Sequence, residues 1–149
     1  MSISEHPATI VVDVANVMGA RPDGWWRDRA GAAVRLHAEV AALAASGRAI
    51  LPGEPGEPGE PGEPGPPEFV MVLEGAANAA GPRIAAAAPA DRVRVVHAPG
   101  HGDDTIVAVV RELPGRRVVV TADRELRDRC AAVGAEVRSP GWLLGLLKP

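Results

Sequence analysis

Acidic residues follow several short apolar runs of this sequence, and this recurrence is its strongest indication of chemistry. The runs at 9–12, 69–73, 93–96 and 118–120 lead into Asp13, Glu74, the pair Asp103 and Asp104, and Asp123. Short Val/Ile/Leu runs are typical of strands buried on both faces of a parallel sheet, and ligands of such sheets bind beyond the carboxyl ends of the strands. We therefore expect these carboxylates to converge at one edge of a sheet.

Converging carboxylates repel one another, and each raises the pKa of its neighbours unless a cation lies between them. Carboxylate oxygens suit Mg²⁺ or Mn²⁺, whereas a zinc site would use cysteine or several histidines. Metal sites of this kind serve phosphoryl chemistry, in which the ion activates water and stabilises developing negative charge. The pattern predicts a Mg²⁺ or Mn²⁺ site whose candidate ligands are Asp13, Glu74, Asp103, Asp104 and Asp123.

The candidate ligands differ in how well another role would explain them. Asp13 is the strongest, because an apolar residue is expected at its position in a buried strand and an unpaired buried carboxylate is costly. Its alternative role is to cap a turn. Asp103, Asp104 and Asp123 precede or open helical patterns, so each could serve as a helix cap. One acid suffices to cap the helix that begins near Asp103 and Asp104, so the other is left to bind a metal. Asp103 is the stronger candidate of the two. Glu74 is either a weaker ligand or an acid at the rim.

Four polar residues near these acids are candidates for supporting roles. Asn16 can orient Asp13 or a metal-bound water, or it can form a turn. Thr121 can bond a phosphate or a metal-bound water, or it can simply end its strand. Arg27 and Arg124 can hold a phosphate backbone, although local arginine clusters are more often solvated helix faces.

Histidines and tryptophans supply a further set of candidates. His97 and His101 flank a Pro-Gly turn and can donate to phosphate or act as a general base, although loop histidines are more often unspecialised. Trp25 and Trp26 are neighbours on a predicted helix and so point in different directions. We expect one of them to pack against the core, which leaves the other to cover a base or a sugar.

The elements that position these residues alternate along the chain. Apolar runs and helical patterns follow one another throughout, which predicts a three-layer α/β/α sandwich around a mostly parallel, Rossmann-like sheet of about five strands. Strands are predicted near 8–14, 68–74, 92–97, 116–121 and 135–138, and helices near 25–46, 75–88, 102–113, 123–133 and 140–147. A loop is expected between the first strand and the first helix. Gly81 and Pro82 interrupt the second helix and can split it.

The segment 52–67 breaks this alternation with four Gly-Glu-Pro triplets. Four triplets are too few for a collagen triple helix, so we expect an exposed polyproline II or disordered loop inserted in one domain that spans 1–149. The insert carries four of the 19 acidic residues, and without it 16 basic residues face 15 acidic ones, although the formal net charge of the chain is −3. No strong basic run marks a nucleic-acid surface.

Composition and missing motifs exclude several classes. Cys130 is the only cysteine, so it cannot form an internal disulfide, and its helical spacing to Leu126 and Val133 predicts a buried structural thiol. No signal-peptide pattern and no apolar run of membrane-spanning length occur, so we expect a cytoplasmic protein without a membrane partner. The dinucleotide fingerprint, the Gly-Lys-Ser/Thr phosphate loop and the Gly-x-Ser-x-Gly elbow are also missing.

The acidic motifs, taken in order, resemble those of a known family. Val12–Val17, Leu73–Gly75, Gly102–Ile106 and Val120–Arg124 resemble the acidic motifs of NYN domains in the PIN-like nuclease superfamily, especially its YacP-like branch. The resemblance covers nearly the whole chain outside the insert. It implies a Rossmann-like sandwich, a Mg²⁺ or Mn²⁺ site and hydrolysis of RNA phosphodiesters. It also implies that Asp13, Asp103 and Asp123 bind the metal with support from Asn16.

The sequence therefore predicts a metal-dependent ribonuclease whose catalytic residues are Asp13, Asp103 and Asp123 and whose partner is RNA. One alternative keeps the acidic site but replaces RNA with a nucleotide, as in a nucleotide pyrophosphohydrolase. Residues 22–30 resemble proteins that carry that label, and the modest basic charge also suits a nucleotide substrate. A second alternative is an inactive RNA-binding or interaction module that has kept the fold. The oligomeric state is left open by the sequence.

Overall fold

The structure is a computed structural model that describes residues 6–48, 50–51, 66–87 and 90–148. Most of the Gly-Glu-Pro insert, residues 52–65, lies outside the described residues, so its predicted conformation stays a prediction. The strands are β1 Thr9–Asp13, β2 Glu68–Leu73, β3 Val93–His97, β4 Arg117–Val120 and β5 Glu136–Arg138. The α-helices are α1 Val14–Gly19, α2 Arg29–Ala45, α3 Gly81–Ala86, α4 Gly102–Glu112, α5 Arg124–Ala132 and α6 Pro140–Leu147. Two 3₁₀ segments, Trp25–Arg27 and Gly75–Ala80, complete the elements.

The five strands form one sheet in the order β3-β2-β1-β4-β5. Every neighbouring pair is parallel, with Ile10 of β1 opposite Phe69 of β2 and Val118 of β4. Chain order runs outward from β1 to β3 on one side and from β4 to β5 on the other. The direction of winding therefore changes between β1 and β4, which is where sheets of this kind bind their ligands.

Alternate residues of the central strands belong to two separate cores. Ile10 and Val12 face one core, whereas Val11 between them faces the other, and all three are fully buried. Because both faces of the strand are covered, its sequence reads as a continuous apolar run without a polar face. Burial of both faces explains why the strands were recognisable from short runs of valine and isoleucine.

Helices cover both faces of the sheet, as expected for a three-layer sandwich. The helices α1, α2 and α6 contribute Val17, Leu36 and Leu143 to the first core, and α4 and α5 contribute Ile106 and Leu126 to the second. The predicted α/β/α sandwich with a parallel five-stranded sheet is thus confirmed. No helix in the described parts of the chain is both long and apolar enough to span a bilayer.

The connection from β1 to α2 differs from the prediction in two ways. A loop was expected after β1, but α1 begins directly at Val14. The long helix was expected to begin at Trp25, but it begins at Arg29, because the carboxylate of Asp28 accepts a hydrogen bond from the Gly31 N–H group and caps it. The tryptophans therefore lie in a 3₁₀ turn that precedes the helix.

The expected division of the second helix is confirmed. The chain forms a 3₁₀ segment over Gly75–Ala80 and a short α-helix over Gly81–Ala86. Pro82 is tolerated because it lies in the first turn of α3, where its missing N–H group would have no helical partner.

Arg117 fixes the two helices whose other ends approach the carboxyl edge of the sheet. Its guanidinium group donates to the carbonyl oxygens of Val110 at 2.7 Å and Val133 at 2.9 Å. Val110 lies in the last turn of α4, and Val133 directly follows α5. A cation suits both positions because unpaired carbonyls give a helix C-terminus partial negative charge.

Candidate active site

The carboxyl edge of the sheet gathers polar residues from adjacent strands. Asp13 is the last residue of β1, Glu74 follows β2, and Thr121 follows β4. Asp103 is the second residue of α4, and Asp123 directly precedes α5. The acidic residues predicted to converge do lie at the edge where β1 and β4 change the direction of winding.

Asp13 is held by one bond from its own helix and one from the neighbouring strand. Its residue is 6% exposed, and its Oδ1 atom accepts a hydrogen bond of 3.4 Å from the backbone N–H group of Asn16. Its Oδ2 atom accepts a hydrogen bond of 2.9 Å from the hydroxyl group of Thr121. Asp13 therefore does cap α1, the alternative role that its sequence position suggested. Its second oxygen connects the end of β1 to the residue that follows β4.

Burial is the main perturbation of Asp13. It raises the pKa of this carboxyl, the hydrogen bonds from Thr121 and Asn16 lower it, and the negative charges of Glu74 and Asp103 add to the rise. Together these effects move the pKa from 3.8 to about 6. Asp13 therefore lies in a low-dielectric environment that already contains two other acids. A nearby cation would relieve both effects.

Asp103 keeps its carboxylate free of hydrogen bonds to the described residues. The residue that precedes α4 in the capping position is His101, and Asp103 lies one residue inside the helix. Burial raises the pKa of Asp103, and the charges of Asp123 and Glu74 raise it too, whereas those of His101 and Arg129 lower it. Capping therefore does not account for Asp103, and its oxygens remain available to a ligand.

Glu74 links the end of β2 to the start of α4. Its carboxylate accepts a hydrogen bond of 2.9 Å from the backbone N–H group of Gly102. A Cβ atom at position 102 would lie 3.2 Å from the Glu74 carboxyl carbon, so glycine permits this close approach. Glu74 is thus more than a rim acid: it fixes the helix that carries Asp103.

Asp123 caps α5 and takes part in a network that joins the two loops at the change of winding. Its Oδ1 atom accepts from the Leu126 N–H group at 2.9 Å, and its own N–H group donates to Thr121 Oγ1 at 3.1 Å. The side-chain carbonyl of Asn16 accepts from the Ala122 N–H group at 2.9 Å. Asn16 and Thr121 therefore hold β1 and β4 in register with their loops, a role that local sequence signals could not reveal.

Asp104 has a different environment from Asp103. Its side chain is 81% exposed, and its carboxylate accepts a hydrogen bond of 3.0 Å from the guanidinium group of Arg129. This ion pair connects α4 to α5. The two adjacent acids have separate contacts because neighbouring helical residues point in different directions.

The remaining candidates lie at the surface of the same edge or beside it. Arg124 is exposed in the first turn of α5, and its guanidinium group forms no ion pair with a described residue. His97 is hydrogen-bonded through Nδ1 to Asn78 Oδ1 at 2.9 Å, and Asn78 Nδ2 donates to the carbonyl of Ala98 at 3.1 Å. Asn78 was not singled out from the sequence, since a lone asparagine in an alanine-rich segment carries no motif.

Cys130 is fully buried beneath the acidic site, which confirms the prediction of a structural thiol. Burial raises its pKa to about 11, Arg129 opposes the rise, and the charges of Asp103 and Asp13 contribute to it. The thiol therefore stays protonated near neutral pH and is a poor nucleophile.

The fit of a metal ion rests on the chemistry of the donors. Within the described residues, no three histidine, cysteine or acidic side chains are arranged as a ready-made cage for one ion. Mg²⁺, however, usually keeps several waters and is bound by one or two carboxylates together with substrate phosphates. Asp13 and Asp103 meet that requirement, since burial and the charges of neighbouring acids raise the pKa of both carboxyls, and a cation would offset both effects. The metal ligands themselves stay a prediction.

Comparison with known proteins bears on the fold. No family model matches the sequence, and no curated protein matches it either. Among solved structures, the chain is similar to Rae1 (YacP) from Bacillus subtilis, crystallised as a W164L mutant, with a TM-score of 0.61 and 17% sequence identity. The match covers 93% of this chain and 73% of that one. This chain shares the fold of that protein. The fold implied by the acidic motifs is therefore confirmed.

Proposed function

We propose that this protein is a metal-dependent nuclease that hydrolyses phosphodiester bonds of RNA. Asp13 carries the proposal: it is a buried carboxylate at the change of winding, with a pKa of about 6 that Glu74 and Asp103 help to raise. The YacP-like NYN fold supports the same proposal, because the acids at this edge of the sheet belong to motifs that resemble those of NYN-domain nucleases.

Asp13 and Asp103 would bind Mg²⁺ or Mn²⁺ directly, because burial and neighbouring acids raise the pKa of each of these carboxyls, and Glu74 and Asp123 would act through water. A bound ion would lower the pKa of a coordinated water and neutralise charge on the phosphate. Thr121 would keep Asp13 oriented towards the ion through its hydroxyl group.

Substrate binding would use arginines that are not engaged elsewhere. Arg124 is exposed beside Asp123, and Arg27 is exposed in the turn before α2. Guanidinium groups suit phosphate because they offer several donors in a planar fork. The two exposed arginines would bind the phosphates of the RNA strand, while the acids bind the metal ion.

The test is a cleavage assay with matched substitutions. Labelled single-stranded RNA is incubated with Mn²⁺ and the wild-type protein, Asp13→Asn, Asp103→Asn or Asp104→Asn. We expect the first two variants to lose about 100-fold or more in rate, because each removes a charge that the cation requires. Asp104→Asn is the control, because Asp104 pairs with Arg129 at the surface, and its rate should stay within a few-fold of wild type. Circular dichroism checks that each variant is folded.

Three outcomes would change the assignment. Cleavage that survives both Asp13→Asn and Asp103→Asn would show that the acidic site is not catalytic. Release of phosphate or pyrophosphate from nucleoside triphosphates, with no RNA cleavage, would replace the nuclease by a nucleotide phosphohydrolase at the same site. RNA binding without turnover of any substrate would indicate a binding module.

A further inference from the structure

Trp26 is unusual among the aromatic residues of this chain. It is 56% exposed, and it is the only exposed large hydrophobic residue in the described part of the molecule. The other aromatic rings are less accessible: Phe69 is 1% exposed, and Trp25 and Trp142 are partly buried against the core. The sequence has no tyrosine. Trp26 therefore offers the most accessible aromatic ring on which a base could stack.

The ring of Trp26 stands on a fixed support. It meets Trp25 edge to face, with ring centroids 6.0 Å apart and planes at 89°. Trp25 is partly buried against the first core, and its ring comes within 3.8 Å of where a Cβ atom of Gly19 would lie, at the end of α1. Because its neighbour is packed, Trp26 is held in place although most of its own surface faces solvent.

Two guanidinium groups accompany the tryptophan pair. The Arg27 guanidinium carbon lies 5.9 Å from the centroid of the Trp26 ring, and that of Arg29 lies 5.2 Å from Trp25. Neither arginine forms an ion pair with a described acidic residue. Arginine combines a phosphate-binding fork with a flat surface that stacks on aromatic rings and bases.

The other charged residues of this turn are already engaged. Arg21 forms a two-pronged ion pair with Glu39, with contacts of 2.7 and 3.0 Å. Asp23 accepts from the Trp25 N–H group at 3.2 Å and lies 3.5 Å from Arg35, and Asp28 caps α2. The groups left for a ligand are thus an indole ring and two cations. This combination favours a polyanion with flat rings over an acidic peptide.

The turn lies close to the acidic site along the chain. β1 ends at Asp13, and the connection to the parallel strand β2 must start from the same carboxyl edge. Only α1 and a short loop separate Asp13 from Trp25, and six helical residues extend about 9 Å. The short path along the chain between Asp13 and Trp26 makes it feasible for one RNA strand to contact both residues.

We infer that Trp26 is a stacking platform for an unpaired base of an RNA strand, and that Arg27 and Arg29 hold the adjacent phosphates. The inference rests on the proposed function, because it extends the substrate path from the acidic site. Base stacking requires an unpaired base, so single-stranded RNA is preferred over a duplex. Because the formal net charge of the chain is −3, phosphate attraction alone contributes little to binding and stacking contributes more.

The experiment measures RNA binding apart from cleavage. Fluorescence anisotropy follows a labelled single-stranded oligoribonucleotide, and the same strand annealed to its complement, on the Asp13→Asn background. Trp26→Ala should weaken binding of the single strand by roughly 5-fold or more, because stacking on one ring contributes at least that much. Trp26→Phe keeps a ring and should retain binding within about 3-fold of the parent. Duplex binding should not change with either substitution.

Each result bears on one proposal separately. Equal affinities of Trp26→Ala and Trp26→Phe for the single strand would overturn the platform and leave the nuclease standing if wild type cleaves RNA. Loss of single-strand binding in Trp26→Ala alone would support the platform even if wild type cleaved nothing. Absence of any RNA binding by the parent would overturn the platform, whereas the nuclease proposal is decided by whether wild type cleaves RNA. A change of oligomeric state in Trp26→Ala, with RNA affinity unchanged, would assign the ring to a protein interface.

Discussion

At the scale of single residues, the site depends on acids that each perform a structural task. Asp13 caps α1 and accepts a bond from Thr121, Glu74 holds the start of α4, and Asp123 caps α5. A carboxylate has two oxygens and about four acceptor positions, so one backbone bond does not exhaust it. Capping and metal binding are therefore compatible, and the acids that orient the helices can also face a cation.

Asp13 should make stability depend on pH in protein kept free of metal. Its pKa is about 6 in the folded state and 3.8 without the fold, so the folded protein holds its proton more tightly. The stabilisation from that proton is fully present below pH 3.8 and is lost as the pH rises through about 6. The loss amounts to about 2 to 3 kcal/mol. The measurement is the free energy of unfolding in urea, with a chelator present, for wild type and Asp13→Asn at pH 4 and pH 7.

Asp13→Asn should gain stability relative to wild type between those two pH values, because an amide does not ionise. A difference between the two proteins that stays constant with pH would contradict the raised pKa. Addition of Mn²⁺ at pH 7 should stabilise wild type and leave Asp13→Asn nearly unchanged, because an ion that binds only the folded state stabilises it by mass action.

The residues of the site were predictable to the extent that local patterns mark them. Asp13 and Asp123 could be found because each follows an apolar run. Asp103 could be found because a helix cap requires only one of the two adjacent acids Asp103 and Asp104. The bond between Thr121 and Asp13 joins residues 108 positions apart and has no local signal. The same holds for Glu74 and Gly102, which meet only once the sheet has formed.

At the scale of elements, the start of α2 was marked by a local signal, the N-cap residue Asp28, but the helical spacing of apolar residues predicted an earlier start. Leu36 and Val40 have helical spacing and correctly predicted the body of α2, but the alternation of apolar residues gave no clear start. Asp28 is the signal that marks it, since aspartate is favoured at a helix N-cap. Gly24 has a positive φ of 78° and turns the chain into the 3₁₀ segment. The six residues of α1 are too few for a periodic pattern to be recognised.

The start of α4 allows a matched test of how Glu74 positions the site. A methyl group at Gly102 would approach the Glu74 carboxylate to 3.2 Å, whereas one at Gly100 would meet nothing within 4 Å. Gly102→Ala should displace Glu74 and lower the rate of RNA cleavage by about 10-fold, the lower end of what loss of an orienting group costs a metal site. Gly100→Ala should leave the rate unchanged. The measurement is the rate of RNA cleavage at saturating Mn²⁺.

The stability of Gly102→Ala separates positioning from misfolding. Alanine is a better helix former than glycine by about 1 kcal/mol, which offsets part of the cost of moving Glu74. We therefore expect a urea midpoint close to that of wild type alongside the lower rate. Equal rates for the two alanine variants would show that Glu74 has no role in the site.

At the scale of the whole molecule, the fold brings the site together by strand order. The sheet places β1 between β2 and β4, so the acids of three strands meet although the chain visits β3 before β4. The alternation of strands and helices predicted a parallel sheet, but it could not give this order, which depends on contacts between distant segments. Both cores are nearly free of charge, and the acids Asp13, Glu74 and Asp123 lie at or just beyond the carboxyl ends of β1, β2 and β4.

Charge distribution predicts an unusually weak dependence of RNA binding on salt. The arginines proposed to contact RNA are Arg27, Arg29 and Arg124, and none of them forms an ion pair with a described acidic residue. Each phosphate contact to a single strand contributes a slope of about −0.7 to the logarithm of the association constant against the logarithm of salt concentration. Three contacts give a slope near −2, and Arg124→Gln should reduce its magnitude by about 0.7. Anisotropy titrations of Asp13→Asn across a range of salt concentrations measure both values, and a slope of about −4 or steeper would reveal a further basic surface.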